Sequence, residues 1–403
     1  SVRSALDAES ALCCAALQLI RPHFPECTVP SLLPDVDPEG LLEYSVVYTD
    51  RALNHMSQAF QGVMKDISRI LKQVYRAHTA IVVPGSGTFG MEAVARQFAN
   101  DKKCLVVRNG WFSFRWSQIL DMGRIPSQTT VLKARRTEQG SQAAFAPPPV
   151  AEVVAAIRET SPDVVFAPHV ETSAGMILPD AYVRAVADAV HAVDGLFVLD
   201  CIASGAIWVD MVASGVDVLI SAPQKGWSGP PCCALVMLSE RARARIDATT
   251  SSSFACDLRK WMQIMEAYEG GGHAYHATMP TDALARLRDV MQETQRYGFD
   301  KARADQQELG RKVRALLARN GFTSVAAEGF GAPGVVVSYT DDADMQSGKK
   351  FRDQGVQIAA GVPLQCDEPP DFRSFRVGLF GLDKLQNIDR TVRYLDEALS
   401  RMR

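Results

Sequence analysis

The chain has 403 residues, of which 47% are hydrophobic and 22% are charged, and its formal net charge at pH 7 is −3. A single hydrophobic core stops growing at about 250–300 residues, so this length predicts two domains of ordinary globular composition. The small negative charge gives no electrostatic reason to expect a nucleic acid or an anionic membrane surface as a partner.

The N-terminal stretch and the cysteines favour the cytoplasm. The apolar run Ala11–Ile20 is much shorter than the roughly 20 residues of a membrane span, and the acidic residues before it disfavour a signal peptide. The nine cysteines include the adjacent pairs Cys13-Cys14 and Cys232-Cys233 but no C-x-x-C spacing. We therefore expect reduced thiols rather than a disulfide framework or a zinc site.

The first 75 residues predict an arm followed by a helix. Residues 1–21 are typical of an amphipathic helix, residues 22–38 of a proline-rich arm, and residues 44–57 of a loop. Residues 58–75 have helical periodicity, with one apolar stripe of Phe60, Val63, Met64, Ile67, Ile70 and Leu71. The predicted organisation is an N-terminal helix and arm (1–43), a large domain (44–285) and a smaller α/β domain (286–403).

Residues 80–98 predict a strand, a glycine turn and a helix. The spacing Gly85-x-Gly87-x-x-Gly90 matches the dinucleotide fingerprint, which leaves a dehydrogenase as one alternative. However, the next predicted strand (104–107) ends on Arg108-Asn109, without an acidic residue for a ribose. A glycine turn at a helix N-terminus also binds phosphate, and the hydroxyls of Ser86 and Thr88 would add donors.

Two short apolar runs predict buried parallel strands. Residues 196–199 precede Asp200, and residues 216–220 precede a turn that contains Lys225. Ligands of open α/β sheets lie at the carboxyl ends of the strands, so both side chains would face one crevice. Pyridoxal phosphate (PLP) requires such a pair, a lysine for its aldehyde and a carboxylate for its pyridinium nitrogen. The alternative is that Asp200 caps a helix and Lys225 is solvated.

The rest of the chain adds strands, helices and loops to this sheet. Residues 163–168 predict another strand, residues 234–238 an antiparallel strand at the far side of the sheet, and residues 109–115 an aromatic segment after a strand end. Residues 270–278 form a glycine-rich loop, and residues 281–320 predict a long helical stretch with a break near Tyr297-Gly298. Beyond it, short strands are predicted at residues 334–339, 356–360 and 375–380.

Seven motifs, taken together and in order, resemble those of the class V, fold-type I PLP-dependent aminotransferases, and most of all the alanine–glyoxylate and serine–pyruvate group. The resemblance runs from about residue 54 to 401. The motifs are Gly85-Ser-Gly-Thr-Phe-Gly-Met-Glu92-Ala, Asn109-Gly, Glu171-Thr-Ser-Ala-Gly, Leu199-Asp-Cys-Ile-Ala-Ser204, Gln224-Lys225, Tyr275-His-Ala-Thr278 and Phe375-Arg-Val-Gly-Leu. The resemblance implies an α/β large domain with a mainly parallel seven-stranded sheet and a smaller C-terminal α/β domain.

The resemblance also implies a role for individual residues. Lys225 would form the Schiff base with PLP, Asp200 would pair with the pyridinium nitrogen, and Arg376 would bind the substrate carboxylate through its planar fork. The remaining cofactor contacts would come from Ser86, Gly87, Thr88 and Gln224 at the phosphate, Thr172 at the phenolic oxygen, and Ile202 and Phe112 at the ring. In the homodimers of this family, Tyr275 and Thr278 would reach the phosphate of the neighbouring subunit.

Two departures from the family concern the ring and the substrate. Phe112 stands where the family often has a Trp or Tyr, so a stacked ring would lack a polar group. The family usually opens with a Pro-Gly-Pro turn near the substrate, but residues 44–51 contain none. Tyr48, Arg51 and Asn54 are therefore candidates to line the substrate pocket.

The sequence thus predicts a transaminase that moves an amino group from an alanine- or serine-like amino acid to a small 2-oxo acid such as glyoxylate or pyruvate. An aminophosphonate or another non-standard amine remains an alternative donor. A PLP-dependent lyase or desulfurase is a second alternative, for which Cys366 would be the candidate nucleophile. A protein of this fold without catalysis is a third.

Overall fold

The computed structural model describes residues 36–37 and 41–402. These residues belong to two units, one ending at Leu53 and one beginning at Asn54, and each is considered by itself. In the first unit, residues 41–53 are irregular, and Ser45 Oγ accepts the backbone N–H groups of Val47 and Tyr48 at 3.4 and 3.3 Å. The helix predicted over 1–21 and almost all of the arm predicted over 22–38 lie outside the described residues.

The second unit alternates strands and helices along the chain. Its strands are β1 (Thr79–Pro84), β2 (Lys103–Arg108), β3 (Gln128–Lys133), β4 (Arg135–Arg136), β5 (Phe145–Ala146), β6 (Val164–Pro168), β7 (Val170–Glu171), β8 (Met176–Ile177), β9 (Leu196–Asp200), β10 (Val218–Ser221), β11 (Cys233–Leu238), β12 (Val335–Tyr339), β13 (Ala359–Ala360) and β14 (Ser374–Gly378). Its helices are α1 (Gln58–Tyr75), α2 (Gly87–Phe98), α3 (Trp111–Gly123), α4 (Val150–Thr160), α5 (Asp180–Ala192), α6 (Met211–Ser214), α7 (Glu240–Asp247), α8 (Leu258–Glu269), α9 (Thr281–Tyr297), α10 (Phe299–Arg319), α11 (Ala343–Gln346), α12 (Lys349–Asp353), α13 (Leu382–Gln386) and α14 (Ile388–Arg401).

A seven-stranded sheet of order β1-β11-β10-β9-β6-β2-β3 forms the centre of this unit. Strand β11 pairs antiparallel with both β1 and β10, and the other pairs are parallel. The mainly parallel seven-stranded sheet and the antiparallel direction of residues 234–238 are therefore confirmed. The predicted place of that strand at the far side is wrong, because β1 pairs with its free edge and leaves it second in the sheet.

The apolar pattern explains why these segments form a buried sheet. Strands β9, β10 and β11 are buried along their whole length, as expected for strands covered by helices on both faces. The predicted apolar stripe of α1 is confirmed, since all six of its side chains are at most 2% exposed. Among the described residues, none of the helices combines the length and apolar character that crossing a membrane requires.

A second, three-stranded sheet of order β12-β14-β13 follows the long helices. The predicted break between those helices is confirmed: α9 ends at Tyr297, Gly298 takes φ +100°, and α10 begins at Phe299. The strand predicted over 356–360 is shorter than expected, because only Ala359 and Ala360 pair with β14. The boundary proposed between residues 285 and 286 stays a prediction.

The glycine at position 90 lets α2 lie directly on the sheet. A Cβ at Gly90 would stand 2.4 Å from the Cβ of Ala234 on β11, a methyl carbon whose position is set by the backbone and which cannot rotate away. In contrast, a Cβ at Gly62 on α1 would meet no heavy atom within 4 Å. This close approach therefore sets the distance between the sheet and α2, the helix that follows the glycine turn.

We expect Gly90→Ala to destabilise the protein by about 1–3 kcal/mol, because an added methyl group forces α2 away from β11. Gly62→Ala is the matched control and should stabilise α1 by about 0.5–1 kcal/mol, since alanine is the better helix former. Urea denaturation measures both. A Gly90→Ala protein as stable as the wild type would contradict this account of the packing.

Candidate active site

Asp200 and Lys225 line one cavity of about 490 Å³ at the carboxyl ends of the parallel strands. Asp200 is the last residue of β9 and pairs in register with Pro168 of β6 and Ile220 of β10. The chain leaves β10 at Ser221 and reaches Lys225 after four residues. The parallel register thus brings the predicted carboxylate and amine to the same end of the sheet.

Burial controls the electrostatics of Asp200, which is only 6% exposed. Desolvation raises the pKa of its carboxyl group from 3.8 to about 7, the hydrogen bond from the Ile202 N–H at 2.9 Å opposes the rise, and nearby Glu171 adds to it. The charge of Arg115 lowers the same pKa by a smaller amount. This carboxylate is therefore suited to a cationic partner, which would favour its ionised form.

Lys225 lies in an environment that favours its neutral form. Partial burial lowers the pKa of its amine, and the positive charge of Arg376 lowers it further. Its Nζ is 5.1 Å from the centroid of the Phe380 ring. In the part of the chain that the structure describes, Lys225 forms no ion pair. A neutral amine is the form that can attack a carbonyl group or accept a proton.

The turn between β1 and α2 forms a cradle for an anion. Gly85 takes φ +120°, and the hydroxyl of the N-cap residue Ser86 makes no capping bond. The first amides of an α-helix have no partner within the helix, and those of α2 lie at the helix end that lines the cavity. A Cβ at Gly87 would stand 2.6 Å from Ile202 Cδ1, so a larger residue there would displace the Ile202 side chain, which also lines the cavity. The buried Oε1 of Gln224 has no partner, and rotation of the amide would place a donor there.

A buried carboxylate holds the start of α3 against this cavity. Glu171 is fully buried, and its oxygens accept the backbone N–H groups of Phe112 at 3.1 Å and Ser113 at 2.9 Å. The hydroxyls of Ser113 and Ser173 each donate to it at 2.7 Å. Because a carboxylate at a helix N-terminus satisfies otherwise unpaired amides, Glu171 fixes the position of the Phe112 ring in the cavity wall.

Arg376 enters the cavity from β14 of the second sheet. Its Nε donates to the backbone oxygen of Ala360 at 2.7 Å, and its Cζ is 5.4 Å from the centroid of the Phe112 ring. Burial lowers the pKa of its guanidinium, and the charge of Glu171 opposes the shift. Within the described residues its terminal nitrogens form no ion pair, so the planar fork is available to a carboxylate.

The structure brings most of the predicted site residues together. Those that line the cavity are Ser86, Gly87, Thr88, Phe112, Thr172, Asp200, Ile202, Gln224, Lys225 and Arg376. Their individual roles stay predictions.

Tyr275, Thr278 and Asn54, which belong to the same unit as the cavity, do not line it. Tyr275 is 55% exposed, and its hydroxyl is 3.2 Å from Thr278 Oγ1. Asn54 accepts the Met56 N–H at 2.8 Å, and Tyr48 belongs to the first unit. Tyr275 and Thr278 were predicted to act on a neighbouring subunit, a role that one chain does not test.

Several cavity residues escaped the sequence analysis. Arg115 lies three residues after Phe112 on α3, and this helical spacing was the signal that could have found it. Phe380, Gln357 and Ile358 come from the second sheet and its loops, about 130 or more residues after Lys225. No local pattern relates such distant segments, so only the fold reveals them.

The cavity fits PLP, because a helix N-terminal cradle, a buried carboxylate and an amine of depressed pKa line its wall. No protein-family model matches the chain. It is 23% identical over 364 residues to an alanine–glyoxylate aminotransferase of Mus musculus, covering 87% of this chain and 82% of that protein. It is 26% identical over 336 residues to a 2-aminoethylphosphonate–pyruvate transaminase of Klebsiella pneumoniae, covering 79% and 84%.

A solved structure has the same fold. The pyridoxamine–pyruvate aminotransferase of Mesorhizobium loti superposes with a TM-score of 0.72 at 18% identity, covering 92% of this chain and 90% of that one. The chain is similar to the class V PLP-dependent aminotransferases. The predicted resemblance to this group, the fold class, the transaminase activity and the cofactor are thereby confirmed.

For this aminotransferase relative, the raised pKa of Asp200 predicts how stability depends on pH without cofactor. The folded state holds the Asp200 proton more tightly than the unfolded state does. The contribution of this proton to the free energy of unfolding is therefore complete below pH 3.8 and is lost as the pH rises through about 7. An asparagine at position 200 does not titrate, so Asp200→Asn removes this pH-dependent loss of stability.

We therefore expect the stability of the cofactor-free Asp200→Asn protein, relative to the wild type, to increase by a few kcal/mol between about pH 5 and about pH 8, at roughly 1.4 kcal/mol per pKa unit. Urea denaturation across this range measures the change. Asp396→Asn, at an exposed position of α14, is the control. A difference independent of pH would show that Asp200 titrates normally.

Proposed function

We propose that the chain transfers an amino group from a small, alanine- or serine-like amino acid to a small 2-oxo acid such as glyoxylate or pyruvate. The observation that carries the proposal is that Asp200, Lys225 and Arg376 line one cavity. These residues supply a carboxylate for the cofactor ring, an amine for its aldehyde and a guanidinium for the substrate carboxylate. The names of the mouse and Klebsiella relatives support substrates of this size.

The cofactor would be held at both ends. The amides and hydroxyls of Ser86, Gly87 and Thr88, with the amide of Gln224, would bind the phosphate at the N-terminus of α2. Asp200 would accept the proton of the ring nitrogen at the other end. When bound, PLP supplies an electron sink for the negative charge that develops at the substrate Cα.

Further residues would orient the cofactor ring. Thr172 would donate to the phenolic oxygen, Ile202 would pack on the ring face beside Asp200, and Phe112 would stack on the ring. Thr172 follows directly on Glu171, and Phe112 donates its backbone N–H to that buried carboxylate. Both positions are therefore fixed by the same rigid group, which favours a single ring orientation.

Lys225 would move the proton of the reaction. The free amine of Lys225 would accept the proton released from the substrate Cα and would then donate it within reach of the bound cofactor. Burial and the nearby charge of Arg376 lower the pKa of Lys225, so more of the amine is neutral near pH 7 than in solution. The same residue thus acts as base and then as acid.

Asp200 would keep the ring nitrogen protonated. Its pKa of about 7 belongs to the ligand-free cavity, and a cation at hydrogen-bond distance would favour the ionised carboxylate. The Ile202 N–H holds Oδ1 in place at 2.9 Å. The carboxylate and the pyridinium would therefore stabilise each other's charged forms in a site with little water.

Arg376 would orient the substrate. Its Nε is anchored on Ala360, which leaves the two terminal amino groups for a bidentate carboxylate. A phosphonate is also an anion that such a fork accepts, so an aminophosphonate donor belongs to the same site. Tyr48, Arg51 and Asn54 are proposed to replace the missing Pro-Gly-Pro turn at the substrate side. A screen of amine donors against pyruvate and glyoxylate would distinguish these substrates.

We also propose a homodimer in which Tyr275 and Thr278 of one subunit reach the phosphate bound by the other. Two observations support it. Tyr275 and Thr278 do not line the cavity of their own chain, and the exposed side chain of Phe254, 78% accessible, packs on His276 of the same glycine-rich loop. Aromatic side chains are enriched at protein interfaces relative to the rest of the surface.

A desulfurase is the alternative that a specific residue addresses. Desulfurization requires a reactive thiolate on an accessible loop. Cys366 is only 4% exposed, its thiol donates to the backbone oxygen of Arg108 at 3.4 Å, and burial raises its pKa to about 12. A buried and protonated thiol favours amino-group transfer over sulfur chemistry.

A reducing compartment, the cytoplasm, is proposed from the thiols. The cysteines at positions 104, 201, 232, 233, 256 and 366 are buried and form no disulfide. Adjacent Cys232 and Cys233 have their sulfur atoms 3.9 Å apart, which is a contact between thiols. Buried thiols of this kind are usual where glutathione keeps proteins reduced.

Lys225→Ala tests the proposed function. We expect the variant to lose the visible absorbance band of lysine-bound PLP and to lose transaminase turnover, because Lys225 is the only lysine among the described residues that line the cavity. Borohydride reduction followed by peptide mapping should place the cofactor on Lys225 in the wild type. The control is Lys384→Ala, which removes an amine bonded to the Phe380 backbone oxygen at 3.0 Å. A labelled lysine elsewhere in the chain would refute the assignment.

Arg376→Gln should raise the KM for amino acids by about 10- to 100-fold, because a charge-assisted bond of about 1.5–3 kcal/mol is lost. The KM for amines without a carboxylate or phosphonate should change little. Arg373→Gln is the control, since Arg373 is exposed and bonds the Asp341 backbone oxygen. Steady-state kinetics with both kinds of donor measure the difference, and equal effects on the two would contradict the role.

A further inference from the structure

We propose that Arg115 is the cation that binds the phosphate of the cofactor, a role that rests on the PLP-dependent function proposed above. Arg115 lines the cavity and donates from Nη1 to Thr88 Oγ1 at 3.0 Å. Thr88 is the second residue of α2, at the helix end that forms the anion cradle. The guanidinium is thus bonded to the cradle itself.

The backbone geometry fixes Arg115 at this place. It lies one helical turn after Phe112 on α3, and its Cζ is 5.3 Å from the centroid of the Phe112 ring. The N-terminus of α3 is held by the buried Glu171 carboxylate through the amides of Phe112 and Ser113. The backbone from which the Arg115 side chain extends is therefore held in place, and the hydrogen bond to Thr88 holds the guanidinium at the cavity wall.

Arg115 makes no direct ion pair with a described residue, although its charge reaches Asp200 and lowers the pKa of that carboxyl group. No ion pair joins Arg115 to any carboxylate of the residues that the structure describes, and its hydrogen bond to Thr88 goes to a neutral hydroxyl. A half-buried guanidinium gains most from a desolvated anion, with which its bonds are shorter and stronger. This imbalance points to an anionic ligand.

The phosphate is the anion that fits this place. A helix N-terminus supplies only about half of a positive charge, and hydroxyl groups and an amide supply none, whereas a phosphate monoester carries up to two negative charges. Arg115 would complete the neutralisation. It also prefers phosphate for its geometry, because the planar fork can bind two oxygens at once.

Arg115 and Arg376 would then divide the anions of the reaction between them. Both guanidinium carbons lie near the same Phe112 ring, at 5.3 and 5.4 Å from its centroid. However, Arg115 bonds the start of α2, whereas Arg376 bonds β13 and lowers the pKa of Lys225 through its charge. Arg115 would bind the cofactor phosphate, and Arg376 would bind the substrate near the reacting amine of Lys225.

The test compares PLP with pyridoxal, which lacks the phosphate, as ligands of the cofactor-free full-length protein. Spectroscopic titration gives the affinity for each. In Arg115→Gln, we expect the affinity for PLP to fall by about 10- to 100-fold and that for pyridoxal to remain within about twofold of the wild type, as loss of a charge-assisted contact to the phosphate requires. Arg115→Lys should recover part of the loss, because it keeps the charge without the fork.

Arg108→Gln is the matched control. Arg108 also donates to a hydroxyl, Ser117 Oγ at 2.8 Å, and its Cζ lies 4.6 Å from an aromatic centroid, that of Phe114, but it does not line the cavity. The preference of this variant for PLP over pyridoxal should equal that of the wild type. A preference reduced as much as in Arg115→Gln would show a general effect of net charge and would overturn the proposal.

A second measurement uses the unaltered chain and does not depend on the folding of a variant. Phenylglyoxal modifies accessible arginines, and PLP should protect the Arg115 peptide whereas pyridoxal should not. Equal protection by both ligands, or an unchanged phosphate preference in Arg115→Gln, would overturn the role of Arg115. A wild type that binds neither ligand would instead overturn the proposed function, so the two failures are distinguishable.

Discussion

The parallel register of β6, β9 and β10 is the constraint on which the site depends. Pro168, Asp200 and Ile220 lie side by side in the sheet, so the segments that leave these strands all start at one edge. This alignment brings Asp200 and Lys225, 25 positions apart in the sequence, to a common cavity. A shift of β9 by one residue would turn the carboxylate to the opposite face of the sheet.

The charges in the cavity are balanced only when it holds ligands. Among the described residues, the cations that line the cavity are Arg115, Lys225 and Arg376, and the one carboxylate is that of Asp200. Burial disfavours every charged form, which is why the pKa of Asp200 is raised and those of Lys225 and Arg376 are lowered. A phosphate, a substrate carboxylate and a cationic ring would each meet a group of opposite charge, so their binding would offset the cost of desolvating the charged groups that line the cavity.

The sequence predicted what depends on local patterns. The apolar run before Asp200, the glycine turn at Gly87 and the stripe of α1 identified the strands, the cradle and the helix, because each is specified within one element. The place of β11 between β1 and β10 was not predictable in this way, since strand order depends on pairing between distant segments. Arg376 was found through the resemblance, whereas Phe380, which has no such motif of its own, required the fold.

Arg115 shows why a site is harder to predict than a fold. Its sequence neighbourhood predicts an aromatic segment after a strand end, and an arginine in such a segment is usually a solvated residue. Its position in the cavity wall results from Glu171, 56 residues later, whose buried carboxylate accepts the amides at the start of α3. The same carboxylate places the Phe112 ring beside both guanidinium groups. A residue that does not itself line the cavity thus determines which side chains of α3 do.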